Sequence, residues 1–283
     1  MISRYERLYT AEGAKQGLRA DGRNCDTFRP VSCSTGVFEQ CSGSARLRIG
    51  GTHVVATVKV ELGAPTPATP QYGRLSFAVD YSPCSAATAQ GRRGEDQSSE
   101  LARALEQSIR PSQSGKGGAL DLQSLCVLPG KTCWVLHVDG LILNADGSVL
   151  DALSLAIKAA LGDTSIPLAS VVAAEDPADQ PEIDIDPDPS KYTRLDIQRI
   201  PVTLSIGLIG GLPVVDLTEH EELCADSMLH VSVNERGRIC GITQRATSGI
   251  NPATLQEMLA MAQRAAPKLL QSVQRASSQM ETA

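Results

Sequence analysis

The 283-residue sequence is poor in aromatic side chains, and this scarcity limits both its core and its ligands. Phe, Trp and Tyr together make up 3% of the chain, with one Trp and three Phe. Apolar residues still reach 42%, so a globular core is expected, built from Val, Ile, Leu and Ala. The same scarcity argues against aromatic platforms on which nucleic-acid bases stack.

Several signatures of enzymes and metal sites are absent from the sequence. It has no Walker phosphate loop, no G-x-S-x-G elbow and no H-E-x-x-H motif. None of its eight cysteines forms a C-x-x-C pair or has a histidine at zinc-ligand spacing. No cofactor and no metal ion are therefore predicted.

The sequence also lacks the long apolar runs of membrane segments. No run approaches the ~18 apolar residues of a membrane span, and the first residues carry no apolar signal core. No membrane association is therefore predicted. Most of the cysteines lie in apolar, strand-like stretches, so we expect buried free thiols and a cytosolic or nuclear location.

Positive charge is in deficit, with 26 basic and 32 acidic side chains and a formal net charge of -6. At face value this disfavours a nucleic-acid partner, because binding phosphates requires a basic surface. However, residues 175–190 hold seven carboxylates, four prolines and no basic residue. Removing these seven carboxylates leaves +1 for the rest of the chain, so net charge does not exclude RNA.

Residue patterns predict an α+β fold made of two strand-and-helix units. Two alternating runs flank Gly50-Gly51 and predict an antiparallel hairpin. A helix from about residue 148 to Leu161 is apolar on most sides, so we expect it to be buried between layers. The predicted organisation is an N-terminal helix at 1–20, a first domain at 21–174, an acidic Pro-rich connection at 175–193, and a second domain with a C-terminal helix at 194–283.

Three local features carry charge or free backbone groups that could serve chemistry. Gly91-Arg92-Arg93-Gly94 reads either as a solvated loop or as a phosphate-contacting loop. Gly147-Ser148 precedes the buried helix, but the first turn offers only Val149, Leu150 and Asp151, so it predicts a poor anion site.

The third feature is Asp216 with Asp226, which flank three glutamates at positions 219, 221 and 222. Paired carboxylates can act as a general acid or bind a metal. From spacing alone, an exposed acidic turn with one helix-capping Asp is favoured.

Taken together, several stretches resemble the RNase PH family, and more closely its eukaryotic exosome core ring subunits. The resemblance covers essentially the whole chain. The matching stretches are Arg19-Ala20-Asp21-Gly22-Arg23, Phe28-Arg29, 42–50, 58–63, the Gly91-to-Gly94 loop, 133–139, 151–161, Val214-Val215-Asp216 and 226–229. The helical stretch D-A-L-S-L-A-I-K-A-A-L at 151–161 is the most specific of these.

The resemblance implies the RNase PH fold, with two βαβα-like lobes, the first of which is ribosomal-protein-S5-like. It also implies a six-subunit ring of RNase PH-like chains, capped by subunits with S1 and KH domains. RNA would pass through the central channel of the ring to a separate hydrolytic exonuclease subunit. The expected locations are the nucleus and nucleolus, and also the cytoplasm.

In active members of this family, a Gly-Gly-Thr-Arg-type segment holds the attacking phosphate at the start of the central helix. The Thr and Arg positions are occupied here by Val149 and Leu150. Loss of one preorganised donor typically costs ~10²–10³ in rate, and two are absent. The resemblance thus predicts a subunit without catalysis, in which Asp216 and Asp226 are vestigial.

The predicted RNA contacts are Arg92 and Arg93, since the corresponding loop of the family faces the channel. Arg74 and Lys116 are added on charge and loop position alone. Two alternatives remain open at this stage. One is a residual phosphate-dependent 3′–5′ exoribonuclease that uses Asp226, and the other is a free-standing interaction protein outside the ring.

Overall fold

Alternating apolar residues produce two antiparallel-rich sheets, and an apolar helix lies between them. The structure is a computed structural model that describes residues 2–85, 92–109, 119–172, 182–186, 188–246 and 249–280. The helices are α1 (Arg4–Lys15), α2 (Arg92–Ile109), α3 (Val149–Asp163), α4 (Glu219–Cys224) and α5 (Pro252–Met280).

The first sheet contains six strands in the order β1-β2-β3-β6-β4, and β5 also pairs with β6. Its strands are β1 (Val31–Thr35), β2 (Gly43–Ile49), β3 (Thr52–Gly63), β4 (Arg74–Tyr81), β5 (Cys126–Leu128) and β6 (Thr132–Asn144). The hairpin predicted around Gly50-Gly51 is β2–β3, with Leu47 opposite Val54. Gly50 has φ +56, a left-handed conformation that suits a tight turn. Strand β4 runs parallel to β6, and all other pairings in this sheet are antiparallel.

The second sheet has four antiparallel strands in the order β12-β11-β13-β14. The structure also describes two smaller two-stranded sheets, in which β7 pairs with β10 and β8 pairs with β9. These strands are β7 (Ser165–Ile166), β8 (Ala169–Val172), β9 (Glu182–Ile185), β10 (Thr193–Arg194), β11 (Val202–Ile209), β12 (Leu212–Val215), β13 (Ser227–Val233) and β14 (Ile239–Ala246).

Helix α3 contacts β2 and β3 of the first sheet and β11 of the second, so the sheets pack on either side of it. Leu153, Leu155 and Ile157 are almost fully buried there. The prediction of a helix buried between layers is therefore confirmed. Because such burial removes water from both helix faces, α3 contributes hydrophobic free energy to both lobes, on the order of 25 cal/mol per Å² of apolar surface.

Several element boundaries differ from the patterns. Helix α1 is shorter than the predicted 1–20 segment, because the chain turns at Gly17, which has φ +72. The Gly91-to-Gly94 stretch was expected to be a loop, but α2 begins at Arg92. Glu95 and Asp96 follow at once, and acidic side chains stabilise the first turn of a helix.

Strand β9 lies inside the stretch expected to be an acidic connection, and it pairs with β8 across the predicted boundary at residue 174. Among the cysteines, Cys33, Cys133 and Cys224 are buried, whereas Cys84 and Cys240 are exposed and the other three are partly exposed. All eight are free thiols, but burial of most of them, as expected from the sequence, is wrong. Cys25, Cys41 and Cys84 lie in turns or bends rather than in strands, and strand alternation leaves Cys126 and Cys240 at least partly accessible.

Candidate functional site

The start of α3 is held by two consecutive residues in the left-handed conformation. Gly147 has φ 77 and Ser148 has φ 48. Ser148 makes no side-chain cap; its hydroxyl instead donates to the carbonyl of Leu217 at 3.1 Å. A Cβ on Gly147 would lie 2.2 Å from that same carbonyl oxygen. The start of α3 is therefore packed directly against the chain that leads into α4.

The backbone N–H group of Ser148, at this helix start, already has a carboxyl partner from within the protein. The backbone N–H of Ser148 donates to Oε1 of Glu222 at 2.6 Å. Burial raises the pKa of the Glu222 carboxyl, and the hydrogen bond from Ser148 opposes that rise. A carboxylate at a helix N-terminus is favourable for the same reason that a phosphate is, since both meet N–H groups and the positive end of the dipole. Glu222 thus takes a position that an external anion would need.

The two residues that follow turn toward the core. Leu150 is 6% exposed and belongs to the main hydrophobic cluster, and Val149 packs against that cluster. Neither side chain offers a hydroxyl or a positive charge to an anion at the helix start. This agrees with the poor anion site predicted from the sequence, and Glu222 adds a reason that the sequence did not reveal.

Three arginines from the N-terminal segment meet carboxylates of the second lobe and of the α3 start, in what we call the arginine–carboxylate cluster. Its members are Arg19, Arg23, Arg29, Asp146, Asp216 and Glu221.

Arg29 is the centre of this cluster. Its backbone N–H and Nη2 each donate to the Asp216 carboxylate at 2.7 Å, and its Nη1 donates to the Asp146 carbonyl at 2.5 Å. Burial acts to lower the pKa of the Arg29 guanidinium, but the hydrogen bonds and charge of Asp216 outweigh it and raise that pKa. The side chain of Asp216 is 1% exposed and also accepts from Nη1 of Arg23 at 2.9 Å. Asp216 is therefore fully engaged by two arginines.

Arg19 makes the second fork of the cluster. Its Nε and Nη2 donate to the two carboxylate oxygens of Glu221 at 2.8 and 2.5 Å, and its Nη1 donates to the Val215 carbonyl at 2.9 Å. Burial acts to raise the pKa of Glu221, but Arg19 and the N–H of Thr218 outweigh it and lower that pKa. Bidentate Arg–carboxylate pairs are strong and geometrically specific, so this fork fixes α4 against the N-terminal segment.

The expectation of an exposed acidic turn capped by an Asp is wrong for Asp216 and Glu221, which are buried, and for the cap, whereas Glu219 is exposed. Thr218 caps α4 in a capping box with Glu221, which is only 4% exposed. Asp216 and Glu221 can be buried because arginines from about 190 residues earlier in the chain pair with them, which spacing within the turn cannot show. Those arginines do belong to the stretches that carried the family resemblance, and that was the available signal.

Asp226, the other acid considered in the sequence analysis, has a different environment from Asp216. It is exposed, immediately before β13, and its backbone N–H donates to the Leu208 carbonyl at 2.8 Å. Its predicted vestigial role stays a prediction.

A buried chain of hydrogen-bonded polar side chains starts in the first turn of α3, and sequence reasoning did not find it. Asp151 accepts from the backbone N–H of Ser205 at 2.8 Å and from its hydroxyl at 2.5 Å, and that hydroxyl lies 2.8 Å from Nδ1 of His230. Burial raises the pKa of Asp151 to about 8, partly opposed by the Ser205 bonds, and burial lowers the pKa of His230 to about 4. These groups tie α3 to β11 and β13.

The predicted RNA contacts divide between described and undescribed parts of the chain. Arg74 is exposed at the first residue of β4. Arg92 and Arg93 are the first two residues of α2, and their side chains lie outside the described part of the structure. Lys116 lies outside the described residues altogether.

Within the described ranges, no group of three or more His, Cys, Asp and Glu side chains is arranged to bind a metal ion. Among the helices that the structure describes, none combines the length and the apolar character needed to cross a membrane.

Comparisons with known proteins match both lobes to one family. Residues 27–167 match domain 1 of the RNase PH 3′ exoribonuclease family, and residues 199–265 match its domain 2. The chain is 31% identical over 274 residues to exosome complex component Rrp42 of Methanocella arvoryzae, covering 97% of each chain. It is 33% identical over 228 residues to the protein of that name from Thermococcus gammatolerans, covering 81% of this chain and 79% of the relative.

Among solved structures, a chain of the Archaeoglobus fulgidus exosome with RNA bound to the active site has the same fold. The TM-score is 0.76 and the identity 28%, with 94% of this chain and 97% of the other covered. The RNase PH fold expected from the sequence is thereby confirmed. The matched segments contain the strands of both sheets, α3 and the Asp216 end of the arginine–carboxylate cluster, so the chain belongs to the RNase PH family of 3′ exoribonucleases.

Proposed function

We propose that this chain is a non-catalytic structural subunit of the RNA exosome ring, which contributes to the channel that threads RNA for 3′–5′ processing and degradation. The name shared by its relatives and the fold of the archaeal exosome support membership of such a ring. The observation that carries the absence of catalysis is the contact between Glu222 and the N–H of Ser148 at the start of α3.

An attacking phosphate must be held close to several donors, and the Ser148 N–H at this helix start is already taken by Glu222. Phosphate would have to displace Glu222 from Ser148, and Leu150, which lies in the core, stands where active members of the family carry an arginine. Glu222 also keeps its carboxyl group against this helix turn, and Asp151, whose pKa burial raises to about 8, supplies no positive charge there. Electrostatic preorganisation is usually the largest part of catalysis, so its absence here supports an inactive subunit.

The partners that follow from this role are other RNase PH-like ring subunits, S1/KH cap subunits, the hydrolytic exonuclease subunit and RNA in the central channel. We place the chain in the nucleus and nucleolus, and also in the cytoplasm, as the working locations of such a complex. The proposed RNA contacts are Arg92 and Arg93, with Arg74 and Lys116 as further contacts. Arginine suits this task because its planar fork matches phosphate oxygens.

The direct test of inactivity is phosphorolysis by the purified chain, alone and together with its ring partner. Both samples are incubated with poly(A) in phosphate buffer, and released nucleoside diphosphate is measured. We expect no release of nucleoside diphosphate from the chain alone or from the pair. Release that falls with Asp226→Asn would instead establish the residual exoribonuclease and contradict the proposal.

A further inference from the structure

Two cysteines lie directly opposite one another at the edge of the first sheet. In the β5–β6 hairpin, Cys126 is the antiparallel partner of Cys133. Directly opposite residues project to the same face of a sheet. Among the described strand pairings, no other register position places two cysteines opposite each other.

The backbone hydrogen bonds identify the kind of pair that these cysteines form. The N–H of Trp134 donates to the Leu125 carbonyl at 2.8 Å, so the adjoining Cys126–Cys133 position falls in the non-hydrogen-bonded register. The hydrogen bond of the Cys126 N–H supports this assignment, because this group donates to the Gln123 carbonyl at 3.1 Å rather than to the opposite strand. The Cα atoms of non-hydrogen-bonded partners are about 4.5 Å apart. The Cα atoms of disulfide-bonded cysteines are about 4.4 to 6.8 Å apart, so this register position permits a disulfide.

The two thiols differ in access, as an attacking and a resolving cysteine do. Cys126 is partly exposed, and its Sγ lies 3.9 Å from the Pro70 carbonyl. Cys133 is 0% exposed, and its partner on the opposite edge of β6 is Gly63, which has no side chain. Cys126 is therefore the side chain that faces Cys133 across the ladder.

The electrostatic surroundings of Cys133 agree with a resolving role. Burial raises the pKa of the Cys133 thiol and the nearby Cys126 adds to that rise, while the positive charge of Arg74 opposes it. A buried thiol of this kind reacts slowly with oxidants in solution, but it can attack a sulfur held beside it, because thiol–disulfide exchange depends on access as well as on thiolate fraction.

We propose that Cys126 and Cys133 are a redox-active dithiol that forms a reversible disulfide across the β5–β6 hairpin. The oxidant is a low-molecular-weight disulfide such as oxidised glutathione. The thiolate of Cys126 attacks one of its sulfurs, forms a mixed disulfide and expels one glutathione thiolate. Cys133 then gives its proton to solvent and attacks the Cys126 sulfur, which expels the second glutathione. The protein loses two electrons, and the glutathione disulfide gains them. This inference does not depend on the ring role.

The sequence provides a clean readout, because Lys131 lies between the two cysteines. Trypsin cleaves after Lys116, Lys131 and Lys158, so it yields peptides 117–131 and 132–158 with one cysteine each. These peptides remain joined only if the disulfide is present. The full chain is equilibrated with graded ratios of reduced to oxidised glutathione, quenched with acid, alkylated, digested and analysed by mass spectrometry.

We expect the joined peptides to rise from near absence to the dominant form as the oxidised fraction increases, and to disappear on reduction with dithiothreitol. In Cys133→Ser, Cys126 should instead accumulate as its mixed disulfide with glutathione, and in Cys126→Ser no joined peptide should form. A variant with Cys84→Ser and Cys240→Ser, which removes the two exposed cysteines, should behave as the wild type. Absence of the joined peptides at every ratio, or their indiscriminate linkage to other cysteine peptides, would overturn the proposal. The wild-type and Cys126→Ser results decide this even if Cys133→Ser does not fold.

Discussion

Arg29 links three parts of the chain that are far apart in sequence. It joins its own segment to the carbonyl of Asp146 before α3 and to the buried carboxylate of Asp216 after β12. A buried ion pair of this kind is not in itself strong evidence of stability, because desolvation offsets most of its attraction. Removing one partner is different, since it leaves the other charge buried without compensation.

Replacement of Arg29 by Met should therefore destabilise the protein by about 3–5 kcal/mol, the range for breaking a buried pair. Denaturant unfolding of the purified chain would measure the change. Arg236→Met is the matched control, because Arg236 is exposed in the β13–β14 turn and its loss should fall within about 0.5 kcal/mol of zero. A loss for Arg29→Met as small as that of the control would contradict the account of the cluster.

Asp151 gives the stability of the protein a particular dependence on pH. Its folded pKa of about 8 lies above its ordinary value, so between these values the folded state binds more protons than the unfolded state and stability falls as pH rises. His230, lowered to about 4, acts in the opposite direction below its ordinary value near 6.5, where stability rises with pH. The two effects oppose each other at acid pH, and Asp151 acts alone between about 6.5 and 8.

Asp151→Asn should remove this decline. Between about pH 6.5 and 8 the wild type should lose up to about 2 kcal/mol relative to the variant, at roughly 1.4 kcal/mol per pH unit. Unfolding free energies of both proteins across this range are the measurement. Parallel pH profiles for the two would show that Asp151 does not titrate as the structure implies.

At the residue scale, the sequence showed which side chains are unsuited to binding an anion better than it showed which residues contact one another. The unsuitable side chains at Val149 and Leu150 could be recognised from their types alone. The Glu222 contact, the arginine–carboxylate cluster and the Asp151–Ser205–His230 chain could not, because they join residues about 25 to 200 positions apart. The distances between these residues depend on how the sheets pack around α3.

Among the secondary-structure elements, α3 depends most on a close backbone approach at its start. Gly147 and Gly130 both have φ of +77, yet they differ in surroundings. A Cβ on Gly147 would fall 2.2 Å from the Leu217 carbonyl oxygen, whereas nothing lies within 4 Å of a Cβ on Gly130. The pair separates the cost of the left-handed conformation from the cost of the clash.

Gly130→Ala should cost about 1–2 kcal/mol, the penalty for a left-handed residue with a Cβ. Gly147→Ala should cost about 1–3 kcal/mol more, because the Leu217–Glu219 segment must move away from α3 and overpacking of this kind has that cost. Thermal or denaturant unfolding of the two variants tests this. Equal losses would mean that the start of α3 is not held against the α4 segment.

The elements themselves were largely predictable, since alternation and helical spacing report which face is buried. The hairpin at Gly50-Gly51 and the buried α3 both follow from such patterns. The start of α2 at Arg92 and the pairing of β9 did not follow from the patterns. Glycines at the first site, and a dense run of acids and prolines at the second, leave only weak local preferences, so tertiary contacts decide the structure there.

For the whole molecule, net charge is a poor guide to its partner, and local positive charge matters more. Changing Arg92 and Arg93 to Glu in the reconstituted complex should weaken RNA binding. Each lost phosphate contact on a single strand reduces the steepness of the negative slope of log K against log salt by about 0.7, so the loss of two should make it shallower by about 1.4. The matched control changes Arg236 and Arg238, exposed in the β13–β14 turn, to Glu and should leave the slope unaltered. An unchanged slope in the Arg92 and Arg93 variant would count against a channel contact.

The central claim is that this chain works as one member of a ring rather than alone. Native mass spectrometry of the complex purified from cells through a tag on the full chain tests it most directly. We predict a stoichiometric assembly that contains this chain, other RNase PH-like subunits and S1/KH cap subunits. Recovery of the chain by itself, or with partners that include no RNase PH-like subunit, would contradict the account.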